Sequence, residues 1–248
     1  MVKRYYGGVI SATQAVANAT SATGFFNVTQ QMQAIKAGAW PLGSSAPGVI
    51  GVAYGGGYYA GQISTAGNGV ADYNLVVGPV ASAQNKLRFK TSNSADSGTA
   101  SAIDGPSNST AMNDASHPAA YFCKGLTIGG FSDWYMPAKN ELEVCYYNLK
   151  PTTTSNNTSA GINPNAVPAR ASNYTAGNPA QTSAADFVTS SGAQAFGSAG
   201  GDGGYYWSST QYTAYTSSAY TQYFKIGTQT TFQKSYPTLV RAIRRVAV

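Results

Sequence analysis

The residues with the most chemistry to offer are crowded at the C-terminal end. Residues 205–248 hold seven Tyr, eight Thr and five Ser, with no Asp, Glu or Asn. Tyr gives large contact area for little lost conformational entropy, and Ser and Thr give adaptable hydrogen bonds, so this mixture suits non-covalent recognition. The candidate ligand-binding residues are Tyr212, Tyr215, Tyr220, Tyr223, Ile226, Thr228, Thr230, Thr231, Phe232, Tyr236 and Thr238. Phe232 and Ile226 read equally as core, because a one-residue register slip moves a strand's side chains to the opposite face. The plain alternative is an ordinary Thr/Tyr-rich β surface, since both residue types favour strands.

Catalytic chemistry lacks its parts. The one histidine, His117, precedes Pro118, where it reads as a helix cap. Glu141 and Glu143 are two apart and so point to different faces of a helix. Cys123 and Cys145 have no metal-ligand spacing and read as buried free thiols. Asp72, Asp96, Asp104, Asp114, Asp133, Asp186 and Asp202 lack the spacing of a calcium loop. Gly55, Gly56 and Gly57 precede no Gly-Lys-Ser/Thr, which makes them a turn rather than a phosphate loop. The expectation is a non-enzyme with no cofactor and no metal.

Charged residues are 10 % of the chain, against roughly 25 % in ordinary soluble proteins. Residues 1–204 carry ten Lys or Arg against nine Asp or Glu, so five of the six excess positive charges lie in the last 44 residues. Arg241, Arg244 and Arg245 fall in an apolar strand pattern and read as strand-edge or salt-bridging groups. No basic helix accompanies them, which argues against a nucleic-acid partner. No apolar run has the length of a membrane span, and residues 1–8 lack the apolar stretch of a signal peptide. Synthesis in a reducing cytoplasm is the expectation.

These residues must be positioned by a mixed α+β framework. Residues 5–11 read as a strand and Thr29 as the cap of a short helix, which makes residues 1–45 an attachment or oligomerisation segment. Residues 49–54, 58–63 and 73–77 read as strands. Pro118 and Pro137 each open a helix, the second burying Leu142, Cys145, Tyr146 and Leu149 on one stripe. Residues 151–204 form a long Asn/Thr/Ser/Gly-rich insertion anchored by Phe187 and Phe196. Strand patterns return at 205–207, 220–226 and 239–248.

Three motifs occur in order: Gly129-Gly130-Phe131-Ser132-Asp133-Trp134-Tyr135-Met136-Pro137-Ala138-Lys139-Asn140-Glu141-Leu142, Tyr206-Trp207-Ser208-Ser209-Thr210 and Val240-Arg241-Ala242-Ile243-Arg244. Together they resemble the C-type-lectin-like domain, whose fold formylglycine-generating enzymes share, over residues 46–248. The resemblance implies two helices and a mostly antiparallel sheet. The family's Asp-Trp-Arg-Leu-Pro-Thr is here Asp133-Trp134-Tyr135-Met136-Pro137-Ala138, so the loop lacks its arginine. The signatures of calcium-dependent sugar-binding lectins are absent.

A nearer resemblance is to the variable proteins of diversity-generating retroelements, such as phage tropism determinants. In that group the ligand-binding residues follow the Trp-Ser-Ser motif and derive from mutagenised Asn-type codons, which makes residues 205–248 the variable region. The resemblance implies a virion-surface protein that binds a host-cell surface molecule, protein or glycan, and joins other virion proteins through residues 1–45. It also implies a homo-oligomer, trimeric as in the relatives, with no membrane insertion. A purely structural decoration or fibre protein and a degenerate formylglycine-generating-type enzyme are the alternatives.

Overall fold

A computed structural model of the chain describes residues 16–17, 22–23 and 47–248. The strand read at 5–11 and the helix read after Thr29 lie outside the described residues. The chain divides into two compact units, Met1–Ser45 and Ala46–Val248. In the first, β1 (Val16–Ala17) pairs antiparallel with β2 (Ala22–Thr23).

The second unit is mixed α+β. In chain order it comprises β3 (Ala53–Tyr54), β4 (Gly57–Ile63), β5 (Tyr73–Val77), α1 (Val80–Ala83), β6 (Gln84–Arg88), α2 (Gly105–Ala111), α3 (Pro118–Lys124), α4 (Lys139–Leu149) and β7 (Ala166–Val167). It closes with β8 (Tyr205–Gln211), β9 (Ser218–Tyr223), β10 (Gln229–Gln233), β11 (Pro237–Arg241) and β12 (Ile243–Ala247). One sheet has the order β10-β9-β8-β11-β6, with β11 parallel to β8 and antiparallel to β6; the other has the order β12-β5-β4-β3, with β7 added to β4.

The two readings that placed helices after Pro118 and Pro137 hold, though α4 begins at Lys139 with Ala138 as its N-cap. Four α-helices occur among the described residues rather than two. The sequence reading passed over α2 because Gly-Pro-Ser-Asn-Ser-Thr-Ala has no apolar stripe. Asp104 starts this helix by accepting from the Ser107 N–H at 3.2 Å, and buried Asn108 and Ser109 bond Ser101 and Met136 instead of packing greasily. The reading of 49–54 as a strand shrinks to β3, because Gly48 and Gly51 take φ of +70° and +83° and put residues 48–52 in turns and bends; Gly55 and Gly56, at +55° and +82°, then turn the chain straight into β4.

Helix α4 packs on β4 and β5 of one sheet and on β8 and β9 of the other. Its Leu142, Cys145, Tyr146 and Leu149 all enter one core with Ile63, Leu75, Val77, Tyr206 and Phe224. A second core lies across the strands, where α3 and Met112 beside α2 meet Val76, Trp134, Trp207 and Val240. Strands β5 and β8 are therefore buried on both faces, with Val76 and Trp207 turned one way and Val77 and Tyr206 the other. Ala242 joins the two sheets: its N–H donates to Ala83 O and its carbonyl accepts from Gly78 N–H, both at 2.9 Å. The run 239–248 thus divides into β11 and β12, one in each sheet.

Glu141 gathers these pieces. Its buried carboxylate accepts from Tyr135 Oη at 2.5 Å, Arg245 Nε at 2.7 Å, Ala138 N at 2.8 Å and Gly105 N at 3.2 Å. Burial pushes the carboxyl upward, and the Arg245 guanidinium and these donors oppose that shift. Removing one partner of a buried ion pair costs roughly 3–5 kcal/mol. Glu141→Gln is expected to lower stability by about that amount in urea unfolding; a loss below ~1 kcal/mol would show that the pair is dispensable.

Candidate ligand-binding surface

Strand β8 sets the floor of the surface and is itself scaffold. Trp207 is fully buried, its Nε1–H donating to Leu87 O at 3.1 Å and its ring meeting Phe89 edge-on at 5.6 Å. Ser208 Oγ–H donates to Tyr220 O at 3.1 Å, and Thr210 Oγ1–H donates to Ser101 O at 2.8 Å while accepting from Lys139 N at 3.0 Å. Ser209 N–H donates to Pro137 O at 2.7 Å. The Trp-Ser-Ser-Thr run therefore ties β8 to the start of α4. Past it the β8–β9 register shifts between Trp207 and Gln211, and the chain swings out into the 212–217 loop.

The register of β9 and β10 sorts the candidate residues. Thr231 lies opposite Tyr220, whereas Phe232 lies opposite Ala219 and Thr230 opposite Thr221, so Tyr220 and Phe232 face opposite ways. On the Tyr220 side, Tyr212 packs on Tyr220 at 5.4 Å and on Tyr215 at 5.8 Å, with Tyr215 69 % exposed. The Lys139 ammonium stands 4.7 Å from the Tyr220 ring centre. Burial lowers the Lys139 pKa, and burial followed by Tyr212 raises that of Tyr220. On the other side Tyr205 stacks on Tyr223 at 4.2 Å and tilts onto Phe232 at 4.8 Å, which meets Tyr236 at 5.7 Å.

Two groups of the candidates fall elsewhere. Ile226 and Thr228 form the β9–β10 turn, which the insertion grips: Asn157 N donates to Ile226 O at 2.8 Å and Asn157 Nδ2 to Thr228 Oγ1 at 2.9 Å. At Gly227 between them φ is +80°, and a Cβ would lie 2.4 Å from the Tyr146 ring. Thr238 is wholly buried and donates to Tyr205 O at 2.7 Å. It braces the strands from inside and is removed from the surface.

The sequence reading missed Tyr205 and Lys139. Tyr205 was visible as the strand partner of Tyr223 only once the register was known, and Lys139 arrives from another element. It also missed the staple beneath the β10–β11 turn. Fully buried Lys234 donates to Asp96 Oδ2 at 2.6 Å, to Ser94 O at 3.0 Å and to Gln211 Oε1, while Lys90 pairs with the same carboxylate. His117 occupies the N-cap of α3 but makes no side-chain cap. Its Nε2 lies 2.9 Å from Asp96 Oδ1 and its Nδ1 3.0 Å from Asp114 Oδ1. The expected cap is replaced by a bridge between two carboxylates.

Of the terminal arginines, two make ion pairs. Arg244 grips Asp133 through Nε and Nη2 at 2.6 and 2.9 Å, and Arg245 binds Glu141. Arg241 is buried and held by carbonyls instead, donating to Gly78 O at 2.8 Å and Gln194 O at 2.7 Å; burial brings its pKa down to about 10. Both cysteines are buried thiols whose pKa burial pushes up. Among the described residues no cluster of three or more His, Cys, Asp or Glu is placed to hold a metal ion. The described residues also contain no helix long and apolar enough to cross a membrane.

Residues 83–244, well over half of the chain, match the family model of the Lcl C-terminal domain. The chain belongs to that family. No curated protein and no solved structure matches it. The match runs from the end of α1 into β12, so this Lcl C-terminal domain takes in the whole sheet that carries the tyrosines.

Burial pushes the Asp96 carboxyl up, but the hydrogen bonds from Lys234, Lys90 and His117 outweigh it and hold the pKa below 3.8. A carboxyl depressed in the folded state stabilises fully above its unfolded value and loses that contribution as pH falls through the folded one. Acid unfolding below pH 3.8 is therefore expected to be shallower in Asp96→Asn, which starts less stable at neutral pH. Equal slopes in the two proteins would exclude Asp96 from the acid response.

Proposed function

We propose that this chain is a non-enzymatic virion-surface protein whose C-type-lectin-like domain binds a host-cell surface molecule through a diversified tyrosine surface. The observation that carries this reading is the state of Tyr212, Tyr215 and Tyr220. Their rings pack on one another, yet their hydroxyls bond no described protein group. Two half-buried rings and one exposed ring, with uncommitted hydroxyls and an adjacent cation, Lys139, form a recognition patch that buries apolar area and supplies hydrogen bonds to a partner.

Membership of the Lcl C-terminal domain family supports a tropism-related role, and the order of the three sequence motifs supports the lectin-like scaffold. The division of labour fits diversification. Trp207, Ser208, Ser209, Thr210, Lys234 and Thr238 bond inward and fix the backbone, so the outward side chains can change without moving it. Display of several copies on one particle raises avidity by orders of magnitude wherever geometry permits simultaneous contact.

Tyr212→Ala, Tyr215→Ala and Tyr220→Ala are each expected to leave thermal unfolding nearly unchanged and to weaken adsorption to host cells. A hot-spot tyrosine contributes about 2 kcal/mol or more, which is more than tenfold in affinity. Undiminished adsorption in all three variants would move the site away from this patch. Sequencing the gene across progeny of a clonal stock gives an independent measurement: adenine-directed changes at these codons support diversification, and an invariant segment contradicts it.

A further inference from the structure

The Phe232 side of the tyrosine sheet ends at a margin unlike the others. Three strands of five residues, β6, β10 and β12, stand at sheet ends. An open strand edge offers unpaired N–H and C=O groups to any other strand, and proteins commonly guard such edges with charge. Strand β6 carries Lys86 and Arg88, and β12 carries Arg244 and Arg245. Strand β10, Gln229-Thr230-Thr231-Phe232-Gln233, carries none. Lys234, immediately after it, is buried against Asp96.

The phase of the free groups follows from two bonds that bracket the strand. Tyr223 N donates to Thr228 O at 2.8 Å, and Lys234 N donates to Ser217 O at 3.0 Å. With the register running from Gln229↔Gln222 to Gln233↔Ser218, hydrogen-bonded pairs alternate, so Thr230 and Phe232 bond to β9. Gln229, Thr231 and Gln233 aim their main-chain groups away from the sheet. The Gln233 carbonyl accepts from Tyr236 N at 2.9 Å, which leaves the Gln233 N–H and both groups of Gln229 and Thr231 facing outward.

We propose that β10 is the interface at which a second copy of this chain adds, antiparallel, about a two-fold axis through Thr231. Thr231 then exchanges N–H···O bonds with its counterpart, and each Gln229 carbonyl accepts from the Gln233 N–H of the other copy. The side-chain pairs are Thr231 with Thr231, Phe232 with Thr230, and Gln229 with Gln233. None sets charge against like charge, which is unfavourable in directly opposed strand pairs. The same operation at β6 brings Lys86 and Arg88 of one copy toward those of the other, and the outer edge of β12 is already met by Tyr135, which exchanges main-chain bonds with Ile243 at 2.9 and 3.0 Å. In a chain of net charge +6, the neutral edge is the one at which two copies meet without electrostatic opposition. The contact is isologous and closes on itself, and it extends the Tyr205, Tyr223 and Phe232 aromatic group across the two-fold axis.

Sedimentation equilibrium of the full chain tests this without any ligand. The assembly is expected to have a mass that halves in Thr231→Pro, which deletes the outward N–H and leaves the bonds to β9 in place. For a simple dimer, the fall is to the 25.7 kDa of one chain. Thr231→Lys, which sets like charges across the axis, should halve the mass as well and carries the test if the proline variant does not fold. Circular dichroism should match the wild type in each folded variant. A wild-type chain that is monomeric at its highest soluble concentration overturns the proposal, as does an assembly whose mass survives a folded Thr231 variant. Because Tyr212, Tyr215 and Tyr220 are untouched, failure here leaves the adsorption reading to its own test.

Discussion

A buried carboxylate holds this domain together. Glu141 sits three residues into α4, and half of a capping box is visible in its bond to Ala138 N–H. The other half is missing because Ala138 has no side-chain acceptor. The remaining acceptor capacity of the carboxylate goes to distant elements: Gly105 at the start of α2, Tyr135 in the preceding loop and Arg245 on β12. Tyr135 gives the carboxylate one bond through its hydroxyl, and the positive charge comes from Arg245 on the last strand. The loop, two helices and the C-terminal strand are thereby fixed to one point, and the tyrosine sheet is built outward from there.

The same device recurs wherever the chain is irregular. Glu143, on another face of α4, is buried among Asn163, Arg170 and Tyr174 and anchors the insertion. Asn156 accepts from Tyr146 Oη at 2.6 Å and donates to Pro179 O at 2.8 Å. Phe187 and Phe196 close the insertion against the core, with Phe196 stacked on Phe224 at 3.8 Å. Asp96 does the same work for residues 91–99. In a chain so poor in charge, many of the acidic and basic side chains are committed inward, because a buried ion is tolerable only when paired and hydrogen-bonded. The outward surface is left to neutral hydroxyls and rings.

That allocation gives the two sides of the β8–β9–β10 sheet different characters. On one side, tyrosines and Lys139 stand beside the N-terminal end of α4, with hydroxyls uncommitted. On the other, Tyr205, Tyr223 and Phe232 lean on one another and on Trp207, forming a flatter aromatic group next to an uncharged strand edge. One side carries uncommitted hydroxyls and the other an aromatic group beside a neutral edge, and the alternation of a single pair of strands separates them.

Much of this was legible in the residues. The apolar stripe of α4, the strands β4, β5 and β8, and the inward anchors Phe187 and Phe196 follow from local periodicity, which each segment carries in its own side chains. The Tyr, Thr and Ser content of residues 205–248 showed that this segment would be rich in rings and hydroxyls. What stayed hidden were elements whose stability comes from elsewhere: polar α2, edge strands β6 and β10, and a helix-cap histidine that turned out to bridge Asp96 and Asp114. The membership of the candidate surface was likewise a tertiary decision. Sequence sets the period of a strand, but register sets its face, and here the shift after Trp207, the grip of Asn157 on the β9–β10 turn and the arrival of Lys139 from α4 put Tyr220 on one side, Phe232 on the other and Thr238 inside.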